Sequence, residues 1–571
     1  MSKAFNSISA FILILVNGIK RFYTNTCFTV IIFGISAYLI NWDGISSDVS
    51  KMLGRIILVS ILGFLISTLF TLIAEKLNHN TKLLKIINVI TSFIVPILYF
   101  FFILTDIENK YQSTSLAGIF IALILIAIYF ANKTNNENFS NHFSYIIKNL
   151  FVAAIVTLIV MLGLFLCTAA VYFLIYKFSE VYKIYATIAS FCWIVLFVNL
   201  YLAMLPKNQE DYKTPKFFKV ITLYTALPIY IGLIIILYIY LGKILVTHNF
   251  PSGQLNWFAS FASLIGIFLF LTLKQYYNNN AFVKWYVKLF GYILLPIIAM
   301  QCIAYNIRVL SYGFTSLRYI SIVLIGISIV TAIVSLIKSG KYVPYILFLL
   351  ALCSIITTTG LLNLYDVPVY EQESRLVRAL KDNSMLDNNN KIAAKSDIDQ
   401  QTKIKITSAY DYIVTNNVEK SKLLKDYTSE AKSFKQIFGF DREVEIRSDP
   451  YSNQNDQNTY VNYNSELQEI NINGYNTLLN VSNYNLKQNF IKEINNNVLT
   501  IKFNEKVFTF DLNTFIKDLY KEYGITNAIA ISQDKLMIEQ GKLLITNISF
   551  NVNKGNDVII INNIDGYILG K

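Results

Sequence analysis

From Met1 to Leu362 the chain is a succession of long apolar runs separated by short polar loops, and after Leu362 that pattern stops. A hydrocarbon layer about 30 Å thick takes roughly 20 apolar residues in a helix, because backbone groups must bond one another where water is absent. Eleven runs meet or approach this requirement: Cys27–Ile40, Ile56–Ala74, Ile87–Leu104, Leu116–Ala131, Leu150–Tyr176, Ile184–Leu205, Val220–Leu241, Trp257–Leu273, Val287–Tyr305, Ile320–Ile337 and Val343–Leu362. Ahead of them Phe5, Ile8, Phe11, Ile12, Leu15, Ile19 and Phe22 recur at helical spacing, with Asn6, Ser7, Ser9 and Asn17 between. No small-residue cleavage site follows, so residues 1–24 read as an amphipathic helix lying in the membrane interface, not as a signal peptide.

Beyond the last run the periodicity changes. Glu373–Leu386 and Val418–Phe438 read as helices, the first continuing from the last span, with Asp387-Asn388-Asn389-Asn390 as a turn. Alternation or short apolar runs in Glu443–Arg447, Leu467–Ile472, Val498–Phe503, Val507–Phe510, Leu543–Val552 and Asp557–Ile561 read as strands, interrupted by an amphipathic helix at Leu512–Tyr523. The Asn-rich stretch Asn453–Asn464 reads as a loop. The predicted fold is an all-α polytopic transmembrane bundle of about 11 spans followed by a soluble α+β domain. Its expected divisions are 1–24 interfacial helix, 25–365 transmembrane domain, 366–440 helical connector and 441–571 soluble domain.

Composition sharpens this picture. Only 15% of residues are charged and 54% are hydrophobic, outside the range of soluble globular chains. The net charge of +13 is unevenly placed: residues 1–365 hold 25 Lys and Arg against 9 Asp and Glu, whereas 366–571 hold 24 against 27. The basic excess therefore belongs to loops beside lipid, and a nucleic-acid-binding domain is excluded as the meaning of the high pI. With the N-terminus in the cytoplasm, inward segments carry 17 Lys and Arg and outward loops carry 8, which favours that orientation. An odd number of spans then puts the C-terminal domain outside the cytoplasm.

Cys27, Cys167, Cys192, Cys302 and Cys353 all lie in or beside apolar runs, so the soluble part has no disulfide framework. No Walker-type loop, HExxH or CxxC is present, and His79, His142 and His248 are far apart along the chain. No metal or cofactor is expected. The span interiors contain essentially no ionisable residues, which argues against a proton-coupled transporter. Pro96, Pro228 and Pro296 are candidate kinks.

Three stretches carry a resemblance to a known family. They are Tyr238-Ile239-Tyr240-Leu241-Gly242-Lys243 followed by Pro251-Ser252-Gly253, the segment Arg308-Val309-Leu310-Ser311-Tyr312-Gly313-Phe314-Thr315-Ser316-Leu317-Arg318-Tyr319, and Glu371-Gln372-Glu373-Ser374-Arg375-Leu376. Together they cover roughly Leu227 to Leu380, and there the chain resembles the bacterial polytopic family catalogued as domain of unknown function 4153. The resemblance implies a bacterial cell-membrane protein and brings no catalytic residues. Where the family pattern has Ser before the Gln, this chain has Glu371.

Lys243, Arg308 and Arg318 break the charge bias, because all three fall in expected outward loops. With Tyr312 and Tyr319 they form a candidate contact set for the phosphate or carboxylate of a lipid headgroup or envelope polymer. The same residue types also snorkel to the interface or join its aromatic belt. An alternative acidic pair, Asp43 and Asp48, stands in the first outward loop. The first functional reading is a non-enzymatic envelope protein of the bacterial inner membrane. In it the membrane body anchors an extracytoplasmic domain that binds an envelope component or a membrane-protein partner. The alternative is a transporter or lipid-linked transferase acting on an anionic, lipid-carried substrate.

Overall fold

The computed structural model describes residues 2–77, 82–132, 139–207, 216–247, 254–337, 341–387, 391–429, 434–440, 458–465, 477–481, 490–495, 497–503, 506–523, 529–531, 536–538, 543–553 and 558–570. The expected strands Glu443–Arg447 and Leu467–Ile472, the stretch Pro251-Ser252-Gly253, His79 and His248 lie outside the described residues. Two compact units divide the chain: Met1–Ser396 with Ser408–Gly439, and Asp397–Thr407 with Phe440–Lys571.

The first unit opens with α1 (Ser2–Arg21). The apolar helices follow as α2 (Tyr23–Asn41), α3 (Ser47–Lys76), α4 (Lys82–Phe102), α5 (Lys110–Ala131), α6 (Phe139–Leu174), α7 (Val181–Ala203), α8 (Lys216–Thr247), α9 (Gln254–Leu273), α10 (Ala281–Tyr312) and α11 (Ser316–Leu336). Ten helices among the described residues are long and apolar enough to cross a membrane, and the eleventh expected span is the shorter helix α12 (Ile346–Thr358) with a preceding helical turn. The protein is a multi-pass integral membrane protein. Its large exposed apolar surface, which would be a liability in water, is the surface that meets lipid.

Between membrane helices the hydrophobic effect gives little attraction, so close packing and hydrogen bonds hold them. Glycine allows the closest approaches: a Cβ on Gly63 in α3 would stand 2.5 Å from the Phe28 ring of α2 and 2.6 Å from the Ser92 carbonyl of α4. Neutral polar side chains add links. Asn25 donates to Phe64 O at 2.8 Å and to Thr68 Oγ1 at 2.6 Å, and accepts from Ser67 Oγ at 3.0 Å. Thr26 donates to Asn199 Oδ1 at 2.7 Å, while Asn199 donates to Thr29 Oγ1 at 3.0 Å, joining α2 to α7. The largest apolar core gathers α8 to α11, where Tyr286 donates to Gly266 O at 3.0 Å and the Tyr286 and Phe290 rings lie 5.6 Å apart.

The prolines act differently from one another. Pro96 and Pro296 sit inside the continuous helices α4 and α10. Pro228 follows a π-helical stretch, Val220–Ala226, with the Leu227 N–H bonded to Thr222 O. A proline ring displaces the carbonyl four residues back, and the wider turn makes room for it.

The expected helix continuing from the last span is broken. Gly360 adopts φ +69°, the Leu364 N–H turns back to Thr357 O at 2.8 Å, and Asn363 Oδ1 accepts from the N–H groups of Tyr365 and Asp366 at 2.9 Å. These local bonds start a new helix, α13 (Asp366–Asp382). The helix expected at Val418–Phe438 is also interrupted: after a helical turn the chain leaves helical geometry at residues 421–424 before α15 (Lys425–Ser429), and α16 (Phe434–Phe438) follows beyond residues 430–433, which lie outside the described residues. Before them stands α14 (Gln400–Asn417), which the apolar pattern did not suggest. Its signal was the cap: Asp399 Oδ1 accepts the Thr402 N–H at 2.9 Å.

The second unit is mainly sheet. Its strands are β1 (Asn458–Ser465), β2 (Thr477–Asn480), β3 (Phe490–Asn495), β4 (Val498–Phe503), β5 (Lys506–Asp511), β6 (Ile529–Ile531), β7 (Met537–Ile538), β8 (Leu543–Asn553) and β9 (Val558–Gly570). One sheet has the order β2-β9-β8-β1-β6 with β7 beside β8, and a second is the meander β3-β4-β5. Leu499, Ile501 and Phe510 alternate inward and pack with Ile545, Ile548, Phe550 and Ile564. From α17 (Asn513–Tyr523), Ile516 and Leu519 join them.

The Asn-rich stretch expected as a loop contains β1. Asn547 of β8 donates to Asn462 Oδ1 at 2.9 Å and to Asn464 Oδ1 at 2.5 Å, while Tyr463 between them is buried. Cross-strand amide pairs thus satisfy side chains that would otherwise favour solvent.

Lys492 in β3 is nearly enclosed, donating to Asn563 Oδ1 at 3.1 Å and to Ile564 O, with Asp565 Oδ1 at 3.8 Å. Burial lowers its pKa below the ordinary lysine value, and Asp565 only partly opposes this. The unfolded chain, with a lysine pKa of about 10.4, therefore binds more protons than the folded one in the alkaline window below that value. Stability from this site should rise as pH climbs through the folded pKa and level off near the unfolded one. Denaturant titration of wild type and Lys492→Met from neutral to alkaline pH should show the wild type gaining relative to the variant. A constant difference would refute the linkage.

Candidate functional site

The loop between α10 and α11 is three residues long, and its geometry follows from one of them. Gly313 adopts φ +71° and ψ −172°, a region open essentially to glycine alone, and its N–H closes α10 on Val309 O at 2.8 Å. Two helix ends meeting in so short a turn leave backbone groups that need partners. Helix α13 supplies two of them. Glu371 Oε2 accepts the Phe314 N–H at 2.9 Å, and Gln372 Nε2 donates to Phe314 O at 2.7 Å. Arg318 Nη1 donates to Gly313 O at 2.5 Å, placing a cation at the C-terminal, electronegative end of α10. The Ser316 N–H, at the start of α11, finds the Tyr412 hydroxyl at 3.0 Å.

This clasp is tight. Gln372 is 2% exposed, and a Cβ on Gly313 would fall 2.6 Å from its amide nitrogen and 3.1 Å from Arg375 Cδ. Val369, Gln372, Leu376 and Leu380, spaced three or four residues apart, form the buried face of α13.

Two segments about 60 residues apart in sequence, 308–319 and 371–376, are therefore one structural unit. A family model described as Domain of unknown function (DUF4153) matches residues 56–394. The chain belongs to that family. The DUF4153 region runs from α3 past the end of α13, so it contains both halves of the clasp and extends well upstream of the stretch where the resemblance was read. No curated protein and no solved structure matches the chain.

Within the DUF4153 region the candidate residues fare differently. Arg318 lies in the clasp, and Tyr319 donates to Leu362 O at 2.6 Å, tying the start of α11 to the segment before α13. Arg308 is half-buried near the end of α10, and Tyr312 is the last helical residue, its side chain outside the described residues. Lys243 is exposed near the end of α8, with no described hydrogen bond or ion pair joining it to the clasp. In the alternative acidic pair, Asp43 binds Lys183 Nζ at 2.5 Å, an ammonium shared with Glu180 at 2.6 Å, whereas Asp48 is exposed in the first turn of α3.

Three further features were not legible beforehand. Arg21, one of two adjacent cations, makes a two-pronged ion pair with Glu75, Nε to Oε1 and Nη2 to Oε2 both 2.7 Å, and reaches Leu205 O and Pro206 O at 2.7 and 2.8 Å. Beneath the clasp, Gln301 donates to Asn256 Oδ1 at 2.7 Å and to Ser260 Oγ at 2.9 Å, and Asn256 donates to Ser321 Oγ at 2.6 Å. Beside the clasp opens a groove of about 1090 Å³ bordered by Arg378, Lys381, Lys391, Lys422, Glu373 and Asp426. Its wall is held by Glu373 Oε1, which accepts from Ser421 Oγ at 3.0 Å and from the Leu423 N–H at 2.7 Å.

Proposed function

We propose that this protein anchors and orients an extracytoplasmic domain at the bacterial cytoplasmic membrane, with its N-terminus in the cytoplasm. The domain would bind an envelope component or a protein partner. The observation that carries this reading is the clasp: Glu371 and Gln372 bond the backbone of Phe314, joining the membrane helices to the first helix of the connector, while Arg318 closes the α10–α11 turn on Gly313 O. Side chains so engaged serve rigid attachment better than capture of a solute. The excess of Lys and Arg in the expected inward loops supports the orientation. The charged groove along α13, with cations and acids interspersed, adds a surface on the connector that a polar partner can also engage.

The experiment is protease treatment of intact spheroplasts, combined with photocrosslinking from positions 378 and 422. Cleavage of the C-terminal domain in unbroken spheroplasts and a discrete crosslinked species are expected. Protection until detergent is added, for a domain that is cleavable once exposed, would overturn the orientation and the role together. Normal abundance with lost cellular function in Arg318→Gln would instead favour an anion-contacting site.

A further inference from the structure

A second cavity, of about 510 Å³, lies among the ends of α1, α3 and α4 with the segment after α7. Lys20, Lys85 and Lys207 border it, and all three are exposed. Arg21 and Glu75, an ion pair at 2.7 Å, also line it, so four cations face a single carboxylate and the lining is basic on balance. Phe70 and Leu84 supply apolar wall. Because α3 and α4 are membrane-crossing helices, these ends stand at the level where headgroups meet acyl chains. A basic recess between membrane helices with an apolar side matches a molecule that is anionic at one end and oily at the other.

We infer that this cavity binds the phosphate-bearing headgroup of an anionic phospholipid, with Lys20, Lys85 and Lys207 around the phosphate and Phe70 and Leu84 against the start of a chain. Lysine serves here as a point charge, tolerant of several headgroup shapes. The Arg21–Glu75 pair keeps the helix ends together and so holds the recess open. The inference is independent of the anchoring role, since it uses none of the clasp.

Native mass spectrometry of the full chain in detergent, titrated with phosphatidylglycerol or phosphatidylcholine, tests it. Wild type should retain phosphatidylglycerol in preference to phosphatidylcholine, and each single Lys→Gln variant at 20, 85 or 207 should weaken retention roughly fivefold, about what one cation contributes beside an anionic headgroup. The triple Lys→Arg variant should retain the lipid. Thermal unfolding without added lipid should be unchanged in the variants that lose binding. Equal retention of both lipids, or unchanged retention in all three single Lys→Gln variants, would overturn the inference. So would displacement of the lipid by millimolar inorganic phosphate, which would make free phosphate the ligand.

Discussion

Arg21→Met is expected to be among the most destabilising single changes outside the hydrophobic core, costing about 3–5 kcal/mol. The Arg21 and Glu75 side chains are only 10% and 14% exposed, so removing the guanidinium takes a two-pronged partner from a largely buried carboxylate. It also takes the donor from the Leu205 and Pro206 carbonyls. The loss should appear as a large fall in the thermal midpoint of the purified protein in detergent. Arg21→Met combined with Glu75→Leu should recover most of it, because the largely buried carboxylate leaves together with its partner. A single variant as stable as wild type would show that water reaches the pair and that it contributes little.

Gly313→Ala is the second change, and it addresses the proposed role directly. Moving an L-residue to φ +71° and ψ −172° costs about 1–3 kcal/mol, and forcing a Cβ against the Gln372 amide adds roughly 1–3 kcal/mol. The clasp should open locally, exposing α13 to limited proteolysis while the membrane helices stay folded. In a Gln372→Ala background the two closest contacts are gone and only the 3.1 Å approach to Arg375 Cδ remains, so the added cost of Gly313→Ala should fall by up to about half. If proteolysis between residues 366 and 382 is no faster in Gly313→Ala than in wild type, the clasp is not what secures that helix.

Much of the architecture was readable from hydropathy. Ten of the eleven expected spans are long apolar helices and the eleventh is a shorter one, because twenty apolar residues in a row leave the backbone no alternative in lipid. Strands β4, β5 and β8 were readable as well, since Leu499, Ile501 and Phe510 alternate inward. The errors share a cause. In β1 the signal was masked by asparagines whose partners, contributed by Asn547, lie more than 80 residues away. The missing break before α13 turned on side-chain bonds from Asn363 to nearby N–H groups, which hydropathy does not register.

The site divides in the same way. Sequence singled out Arg308, Arg318 and the 371–376 segment, with an external anion or the membrane interface as the cations' partner, but could not show that Arg318 reaches the Gly313 carbonyl or that Glu371 and Gln372 hold Phe314. Lys20 and Arg21 look alike along the chain, but one is exposed and the other is locked to Glu75. By itself the sequence determined membrane residence, the approximate number of spans and the absence of disulfides in the C-terminal part, because these follow from local composition and from one solvent's intolerance of unpaired backbone. Only the tertiary structure decided which charges face outward and which are consumed internally. A charge's role depends on the donor or acceptor that folding brings within about 3 Å, and that partner is distant in sequence.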